Sequence, residues 1–490
     1  MENVKALGFC VNIEHANYMA EKFQQAGLRA EVLSSDNSQK REQYRNKLRK
    51  GEINYLFVVD IFNEGIDIPE IDTVLFLRPT ESLTIFLQQL GRGLRLNDGK
   101  DCLTVLDFVA NSRPEYDFEG KFRAMIGKTN SSTQKEVENN FPHLPLGCSI
   151  VLEKKAREFI LENIKKASSL GRKQIIQKIR QFSLDTSKPL TLKNFIEFYH
   201  IPIELVYKTK LTWSRLCVLA EVKTDFDSTY ETELASCIRT KWLSTASTTY
   251  FRFILRLAKL KFKVDFEAFS EAEKQMLLML HYDFWQKEAL HETLENSIEE
   301  IGTNPTAVNE ISEVMEVLMG KIQFKEIDIE LPYTQSLKVH ARYTRDQILA
   351  AFQFSSFEKS ASNREGIANN KELNTELLFI DLVKSEEDFS PTTMYDDYAI
   401  TEKLFHWQSQ NSTRNDSGKG LEYIHHEENN KVILLFLREQ KKSEYNSTLG
   451  YVFIGKGFYQ EHYGSKPMSI TWRLEESIPN YLWKDSAKLG

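Results

Sequence analysis

Two arginines near the beginning of the chain are the side chains whose type and spacing most directly suggest chemistry. Arg92 and Arg95 belong to the sequence Gln-Gln-Leu-Gly-Arg-Gly-Leu-Arg, which runs from Gln88 to Arg95. Residues three apart lie on the same face of a helix, so both guanidinium groups can point at one anion. A guanidinium group stays charged and matches phosphate oxygens in a bidentate way. The pair is therefore a candidate for stabilising a phosphoryl group during its transfer.

A polar loop precedes the arginine segment. The apolar residues 55–59 predict a strand, and the sequence Asn-Glu-Gly-Ile-Asp-Ile-Pro that follows places Glu64, Gly65 and Asp67 in one loop. Each segment alone is weak evidence for a function. Their order and spacing together are specific.

The two segments resemble motifs V and VI of superfamily 2 helicases, the group that contains DEAD/DEAH-box and restriction-type helicases. The apolar residues 6–12 resemble motif IV. The resemblance covers residues 1–125 and implies a RecA-like helicase C-terminal lobe. It further implies that Gln88, Gly91, Arg92 and Arg95 form motif VI, with both arginines reaching the γ-phosphate of ATP.

The resemblance also assigns the loop residues. It implies that Asp67 holds the ribose of the nucleotide, with Gly65 and Gly91 beside the same site, and that Glu64 lies near the nucleic-acid backbone. Beyond the lobe, residues 141–410 resemble an uncharacterised domain family that is appended to some bacterial helicases. That second resemblance implies no established chemistry, although it makes a role in restriction or defence against phage an expectation.

The sequence lacks the phosphate loop and the acidic Mg²⁺ motif that two-lobed motors need to bind ATP. Two-lobed motors cradle phosphates with Gly-x-x-x-x-Gly-Lys-[Ser/Thr] and hold Mg²⁺ at an acidic strand end, and neither feature occurs in the 490 residues. We therefore expect ATP and Mg²⁺ to act only together with a first RecA-like lobe, supplied in the same polypeptide or by a partner. The expected function is the C-terminal half of an ATP-dependent DNA helicase or translocase. The alternatives are a nucleic-acid-binding or scaffold protein without enzymatic activity, and a C-terminal nuclease.

Periodicity predicts three domains. Residues 1–125 alternate apolar strands with helices of 10 to 15 residues, the pattern of a parallel sheet covered on both faces. Residues 126–334 carry apolar residues at helical spacing and predict an all-helical domain. Residues 335–490 hold several short strands separated by Gly/Asn/Ser turns, which favours a β-rich barrel or sandwich. Residues 468–474 alternate, so one face of that strand should meet water.

Nucleic acid, expected to be DNA, needs a local basic surface because the chain carries a net charge of −7. Candidates are residues 154–180, with Lys154, Lys155 and Arg157, and residues 241–263, where aromatics alternate with cations. Two interpretations stay open for these stretches. They form a solvated basic face over an apolar core, or a phosphate track whose aromatics stack on bases. The acidic residues of 284–330 predict a solvated surface.

The β-rich segment offers three weaker hypotheses. Trp407 and Gln408, with Gln410 and Arg438, would read base edges from a surface. The sequence Glu-x-Lys at 439–441 matches half of a metal-dependent nuclease signature, and four upstream acids compete for the other half: Asp381, Asp396, Asp397 and Glu422. Histidines at 406, 425 and 426 suggest a metal site, but ligand spacing is missing and no metal is predicted.

Bulk properties exclude other classes of protein. The chain is 41% hydrophobic and 27% charged, as ordinary globular proteins are. It has no apolar run of about 18 residues that could cross a membrane. Its five cysteines are scattered and never form a CxxC pair, which predicts buried free thiols in a reducing cytoplasm.

Overall fold

A computed structural model of the protein describes residues 4–59, 68–78, 83–94, 97, 100–108, 118–126, 133–142, 144, 147–168, 170–199, 201–288, 291–322, 324–361, 365–382, 397–443, 445, 447–479 and 482. The chain forms two compact units, residues 1–169 and residues 170–490, and each is described by itself.

The first unit is built on five parallel strands. Its elements in chain order are β1 (Ala6–Phe9), α1 (Ile13–Gln25), β2 (Ala30–Leu33), α2 (Arg41–Arg49), β3 (Tyr55–Val58), β4 (Thr73–Phe76), α3 (Leu83–Gly93), β5 (Thr104–Asp107), α4 (Phe118–Ile126), α5 (Thr133–Glu138) and α6 (Lys154–Ser168). The strand order is β2-β3-β1-β4-β5. This confirms the predicted parallel sheet.

Local sequence explains where the first helix begins and ends. Asn12 caps α1, since its side-chain oxygen accepts a hydrogen bond from the His15 backbone N–H at 2.8 Å. Gly27 follows the helix with a φ of 79°, which glycine adopts without strain. Helix α2 begins in a different way. A 3₁₀ turn over Ser35–Lys40 intervenes, and Lys40 stands at the N-cap without a side-chain hydrogen bond.

A separate small core joins the last three helices of this unit. It is formed by apolar side chains of α4, α5 and α6 and of the loops between them, namely Phe118, Phe122, Ile126, Val137, Phe141, Ile160 and Ile164. The basic helix α6 therefore groups with residues 1–169.

The second unit begins with helices. They are α7 (Arg172–Asp185), α8 (Leu192–Phe198), α9 (Ile203–Lys208), α10 (Trp213–Leu219), α11 (Glu231–Thr240), α12 (Thr248–Lys259), α13 (Glu271–Phe284), α14 (Leu294–Ile301) and α15 (Pro305–Lys321). This confirms the helical middle region.

A mixed sheet follows the helices. Its elements, with two further helices, are β6 (Arg342–Tyr343), α16 (Arg345–Ala351), β7 (Ile367–Asn370), β8 (Thr375–Asp381), β9 (Tyr398–Thr401), β10 (Leu404–Gln408), α17 (Lys419–Ile424), β11 (Val432–Arg438), β12 (Tyr451–Tyr463) and β13 (Ser469–Leu474). The order is β7-β8-β11-β12-β13-β10-β9, with β6 beside β12. Among the described strands of this sheet, β8 and β11 are the one parallel pair.

Both faces of the central strands are buried. One face of β8, β11 and β12, with Phe379, Phe436 and Phe453, belongs to the core of the helices. The opposite face, with Ile380 and Leu435, joins Trp472 in a second core. The expectation that one face of residues 468–474 meets water is wrong, because only Arg473 of β13 is exposed.

The helices and the sheet of the second unit share one core. It extends from Ile175 in α7 to Phe453 in β12 and includes residues on both sides of position 334. The three-domain boundaries at 125 and 334 stay a prediction.

Candidate functional site

Three neighbouring strands of the first unit end level with one another. Past the end of β1, the Cys10 backbone N–H donates to the Val58 carbonyl oxygen at 2.9 Å, and past β4 the Leu77 N–H donates to the Phe9 carbonyl oxygen at 3.1 Å. Ligand-binding loops of parallel sheets leave from such a carboxyl edge. Glu64, Gly65 and Asp67 follow β3 in the sequence and lie outside the described residues, so their roles stay predictions.

Two groups at this edge were not anticipated. Arg78 follows β4 and is half-buried. Cys10 follows β1, and burial raises the pKa of its thiol to about 12, with Arg78 acting in the opposite direction. A thiol with this pKa stays protonated near neutral pH, so Cys10 belongs to the packing of the edge.

Helix α3 carries the predicted phosphate-binding segment. Phe86 and Gln89 face the core and are 2% and 4% exposed, whereas Gln88 and Gly91 face solvent. A Cβ atom placed on Gly91 would meet nothing within 4 Å. No described atom thus crowds the outward face of α3 at Gly91, which is compatible with the predicted ATP contact.

The arginines of this segment are only partly described. Arg92 lies within α3, while α3 ends at Gly93, two residues before Arg95. The side chain of Arg92 and the whole of Arg95 lie outside the described residues. That the two guanidinium groups share one anion stays a prediction.

A buried lysine braces α3 against the sheet. Lys121 of α4 pairs with Asp107 at the end of β5, and its Nζ lies 4.3 Å from the centre of the Phe86 ring. Phe86 in turn packs on Phe76 of β4 with ring centres 5.0 Å apart. Sequence reasoning missed Lys121, because no local pattern marks a lysine that only the tertiary fold brings under a helix.

The predicted nucleic-acid contacts on α6 lie at its first turn. Lys154 and Lys155 are exposed. Arg157 is half-buried and donates to the side-chain oxygen of Asn140. Lys154 and Lys155 can therefore contact an anionic ligand directly. Arg157 is partly engaged by its hydrogen bond to Asn140.

The second basic stretch is an amphipathic helix whose aromatics point inward. In α12, Tyr250, Phe251 and Phe253 are at most 5% exposed, and Trp242 is fully buried. The outer face of α12 carries Arg252, Arg256 and Lys259. The idea that these aromatics stack on bases is wrong, since they form the core. The solvated basic face is the arrangement observed.

Trp407 does not lie at a surface. Its indole is 5% exposed and packs edge-on against Tyr423, with ring centres 5.4 Å apart. Gln408 is half-buried, and its backbone N–H donates to Asp397 Oδ1 at 2.8 Å. The expected surface position of Trp407 is wrong, because this residue belongs to the second core together with Trp472.

The nuclease hypothesis meets a different arrangement. β8 and β11 bring Asp381 beside Arg438, directly before Glu439. Arg438 holds both carboxylate oxygens of Asp381, and Arg342 holds both of Glu439, with Nη1 to Oε2 at 2.8 Å. Among the described residues no group of three His, Cys, Asp or Glu side chains could hold a metal ion. These carboxylates are structural ion-pair partners.

The histidines considered for a metal site also have other partners. His426 Nδ1 lies 2.9 Å from the Lys431 carbonyl oxygen, and its Nε2 accepts from the Tyr459 N–H at 3.1 Å. Burial lowers the pKa of His426. His406 stacks on Tyr463 with ring centres 5.7 Å apart.

The acidic segment, residues 284–330, contains a buried carboxyl group. Glu310 of α15 is 2% exposed and accepts from the backbone N–H groups of Trp213 and Ser214 at 2.6 and 2.9 Å. It also accepts from the Tyr207 hydroxyl at 2.9 Å. Glu310 is therefore not part of a solvated surface, because it caps the beginning of α10.

Within the described part of the chain, no helix combines the length and apolar character needed to cross a bilayer.

Comparison with known proteins finds similarity in the first part of the chain. Residues 1–97 match the family described as helicase conserved C-terminal domain. A protein of Saccharomyces cerevisiae named "Putative ATP-dependent helicase IRC3" is 36% identical over 105 residues, which cover 21% of this chain and 15% of that protein. The UvrABC system protein B of Kosmotoga olearia is 27% identical over 145 residues, 28% of this chain and 20% of that protein. The chain thus spans a fifth or less of the length of these two relatives.

Two solved structures are similar to part of the chain. The yeast DEAD-box splicing factor Prp28 is 21% identical, with a TM-score of 0.25, and the match covers 33% of this chain and 31% of that one. The E. coli DEAD-box protein SrmB is 23% identical, with a TM-score of 0.19, over 22% of this chain and 63% of that one. Residues 337–486 match a domain of unknown function, DUF3427. The chain is therefore similar to the helicase conserved C-terminal domain over residues 1–97 and to DUF3427 over residues 337–486.

Proposed function

We propose that this chain is the C-terminal half of an ATP-dependent DNA helicase or translocase. In this proposal Arg92 and Arg95 act as arginine fingers, Gln88 lies beside them, and Asp67, Gly65 and Gly91 contact the nucleotide. Glu64, Lys154, Lys155 and Arg157 contact nucleic acid. A cytoplasmic role in bacterial restriction or defence is the setting we favour.

The observation that carries this proposal is the outward stripe of α3. Gln88 and Gly91 are presented to solvent on a helix that Phe86, Lys121 and Asp107 brace on the carboxyl-edge side of the sheet. A braced helix can hold charged groups in a fixed geometry, which is what stabilising a transition-state charge requires. ATP, when bound with Mg²⁺, supplies the phosphoryl group that is transferred.

A first lobe is part of the proposal. Phosphate loops supply most of the contacts to ATP in two-lobed motors, and the 490 residues contain none. We therefore propose that turnover needs a phosphate-loop lobe, in the same polypeptide or from a partner.

The test measures ATP hydrolysis stimulated by DNA. The 490-residue chain alone should stay at background, and addition or fusion of a phosphate-loop lobe from a helicase of this type should give DNA-stimulated turnover. An Arg92→Ala variant in the same assembly is the control for contaminating ATPases. Turnover by the chain alone that vanishes in Arg92→Ala would sink the requirement for a first lobe. A reconstituted pair without turnover would support the scaffold alternative.

A further inference from the structure

A group of exposed cations in the second unit has no part in the proposed site. Arg172 and Lys173 open α7, Lys208 closes α9, and Lys210 lies in the turn between α9 and α10. Arg172 Nη2 donates to the Thr209 carbonyl oxygen at 3.0 Å, so the beginning of α7 lies against the turn. These four residues form what we call the α7–α9 basic surface.

Two acids near this surface, Glu204 and Glu231, pair with cations outside it. Glu204 stands four residues before Lys208 on α9, the spacing of a helical ion pair, yet it pairs with Lys321 at 3.1 Å. Glu231 is held by Arg215 at 2.8 Å. Within the described residues, none of the four cations of the surface makes an ion pair. The local positive charge is therefore left uncompensated.

The local charge runs against that of the whole chain. Residues 170–210 contain eight lysines and arginines against three acidic residues, whereas the chain as a whole carries −7. No acidic residue occurs from 170 to 184. Clustered cations in an acidic protein are costly by mutual repulsion, and an anionic partner relieves that cost.

The turn that presents the two lysines is fixed. The Thr209 hydroxyl donates to the Val206 carbonyl oxygen at 2.7 Å, and the Arg215 backbone N–H donates to Thr212 Oγ1 at 3.1 Å. Lys210 has a φ of 63°, the left-handed region that a lysine enters only when its surroundings hold it there. A partner therefore meets a backbone that is already ordered, which reduces the entropy lost on binding.

The aromatic side chains near the surface are not accessible to bases. Phe182, Tyr207 and Trp213 are at most 4% exposed. A surface of cations without exposed aromatics contacts the charged backbone and carries no direct base recognition.

We propose that the α7–α9 basic surface binds the phosphate backbone of nucleic acid, independently of sequence. The inference rests on the proposed function only in taking nucleic acid as the ligand. It adds a contact surface in residues 170–490, separate in the chain from the basic turn of α6. Each phosphate neutralised releases counterions, so the surface contributes to affinity through a term that salt suppresses.

The test uses the full 490-residue chain, labelled 30-nucleotide single- and double-stranded DNA, and fluorescence anisotropy from about 50 to 300 mM salt. In the surface variant Lys173, Lys208 and Lys210 are all changed to Glu. The matched control carries the same charge change at three exposed lysines elsewhere in the second unit, Lys287, Lys359 and Lys371. A third protein has arginine in place of Lys173, Lys208 and Lys210.

The surface variant should lose affinity, and its log–log salt slope should flatten by about 2 to 3, given about −0.9 per duplex contact and −0.7 per single-strand contact. The control and the arginine protein should keep the slope of the original chain. DNA oligonucleotides of different base sequence should bind the original chain with equal affinity. Equal losses in the surface variant and the control would show a long-range charge effect and overturn the proposal.

Two further outcomes separate this inference from the proposed function. A second variant has Glu in place of Lys154, Lys155 and Arg157. If this variant has a flatter salt slope while the surface variant does not, the α7–α9 basic surface does not bind nucleic acid and the helicase proposal stands. If the original chain binds neither DNA form, both nucleic-acid assignments fall, while ATP turnover with a first lobe is judged separately.

Discussion

At the scale of single residues, the arginine segment makes the sharpest prediction. In the chain joined to a competent first lobe, Arg92→Ala or Arg95→Ala should lower kcat by roughly 10³-fold or more, because an arginine finger acts on charge that develops in the transition state. Steady-state ATPase assays at saturating DNA measure this. The KM for ATP should change far less than kcat, and a raised KM with unchanged kcat would exclude the assigned role.

Asp67 provides the contrasting variant in the same assay. A residue that holds the ribose contributes to binding of the ground state and the transition state alike, so Asp67→Ala should raise the KM for ATP and leave kcat nearly unchanged. Nucleotide affinity measured directly with a fluorescent ATP analogue should fall in parallel. A loss confined to kcat would reverse the two assignments.

Asp283 of α13 predicts how stability depends on pH. It is fully buried, and its Oδ2 accepts from Trp242, Tyr250 and Gln347 at 3.1, 2.9 and 2.8 Å. Burial raises the pKa of Asp283 from 3.8 to about 7. The folded state thus binds this proton more tightly than the unfolded state. Protonation of Asp283 therefore contributes its full stabilisation below about pH 4, and this contribution is lost as the pH rises through about 7.

Replacing Asp283 with Asn removes the titration and keeps an oxygen acceptor. Denaturant unfolding from pH 4 to 8 should show that the variant loses less stability than the original chain as pH rises, and that it is the more stable protein at pH 8. Asp416→Asn, at an exposed carboxylate, is the control and should leave the pH profile unchanged. A variant with the original pH profile would show that Asp283 stays charged in the folded state.

Residue patterns alone revealed some of these groups and hid others. Gln88 and Arg92 belong to a contiguous segment, so a reader of the sequence finds them. Lys121, Glu310 and Asp283 act through partners that are distant in the chain, such as Asp107 for Lys121. Trp407 was misplaced because a tryptophan in a short strand fits a surface or a core equally well until its neighbours are known.

At the scale of elements, two glutamates of α15 accept hydrogen bonds from the first backbone N–H groups of two shorter helices. Glu310 accepts from N–H groups at the start of α10, and Glu313 Oε2 accepts from the Leu192 N–H at the start of α8 at 2.8 Å. The first N–H groups of a helix have no partner within the helix, and a carboxylate also complements the helix dipole. One helix thus fixes the ends of two others.

Glu310→Gln should destabilise the second unit by about 1 to 3 kcal/mol, because an amide nitrogen replaces an acceptor that faces buried N–H donors. Thermal unfolding followed by circular dichroism measures the loss. Glu316→Gln, at an exposed position on the same helix, is the control and should be neutral. Equal stability of the two variants would show that Glu310 is dispensable as a cap.

Elements with strong periodicity were predicted well. The helical spacing of residues 126–334 is confirmed by α8 and α13, among other helices. The sequence pattern did not single out the short helices α9 and α10. Their stability comes from tertiary packing and from the cap supplied by Glu310, which local sequence does not encode.

At the scale of the whole molecule, the sequence could not show that helices and sheet share one core. Strand β6 pairs with the segment between the short 3₁₀ turn at Trp242–Ser244 and α12, since Ala246 and Arg342 exchange two backbone hydrogen bonds of 2.9 Å. Gly450, before β12, lies so close that a Cβ there would be 2.3 Å from the Ser244 carbonyl oxygen. These contacts join residues about 100 to 200 positions apart, beyond the reach of any local pattern.

The shared core predicts how fragments of the chain behave. A fragment of residues 170–490 keeps the core from Ile175 to Phe453 intact and should unfold in a single cooperative transition. A fragment of residues 335–490 exposes the face of β8, β11 and β12 that carries Phe379, Phe436 and Phe453, which is a large apolar patch and should cause aggregation. Expression of both fragments, gel filtration and denaturant unfolding measure the difference. A soluble, monomeric and cooperatively folded 335–490 fragment would instead establish the predicted boundary at 334 as a true domain limit.

Within the fragment of residues 170–490, Gly450→Ala tests the same packing. The carbonyl groups of Ser244 and Tyr343 leave no room for a methyl group at this position. The variant should therefore have a lower denaturant midpoint of unfolding than the original fragment.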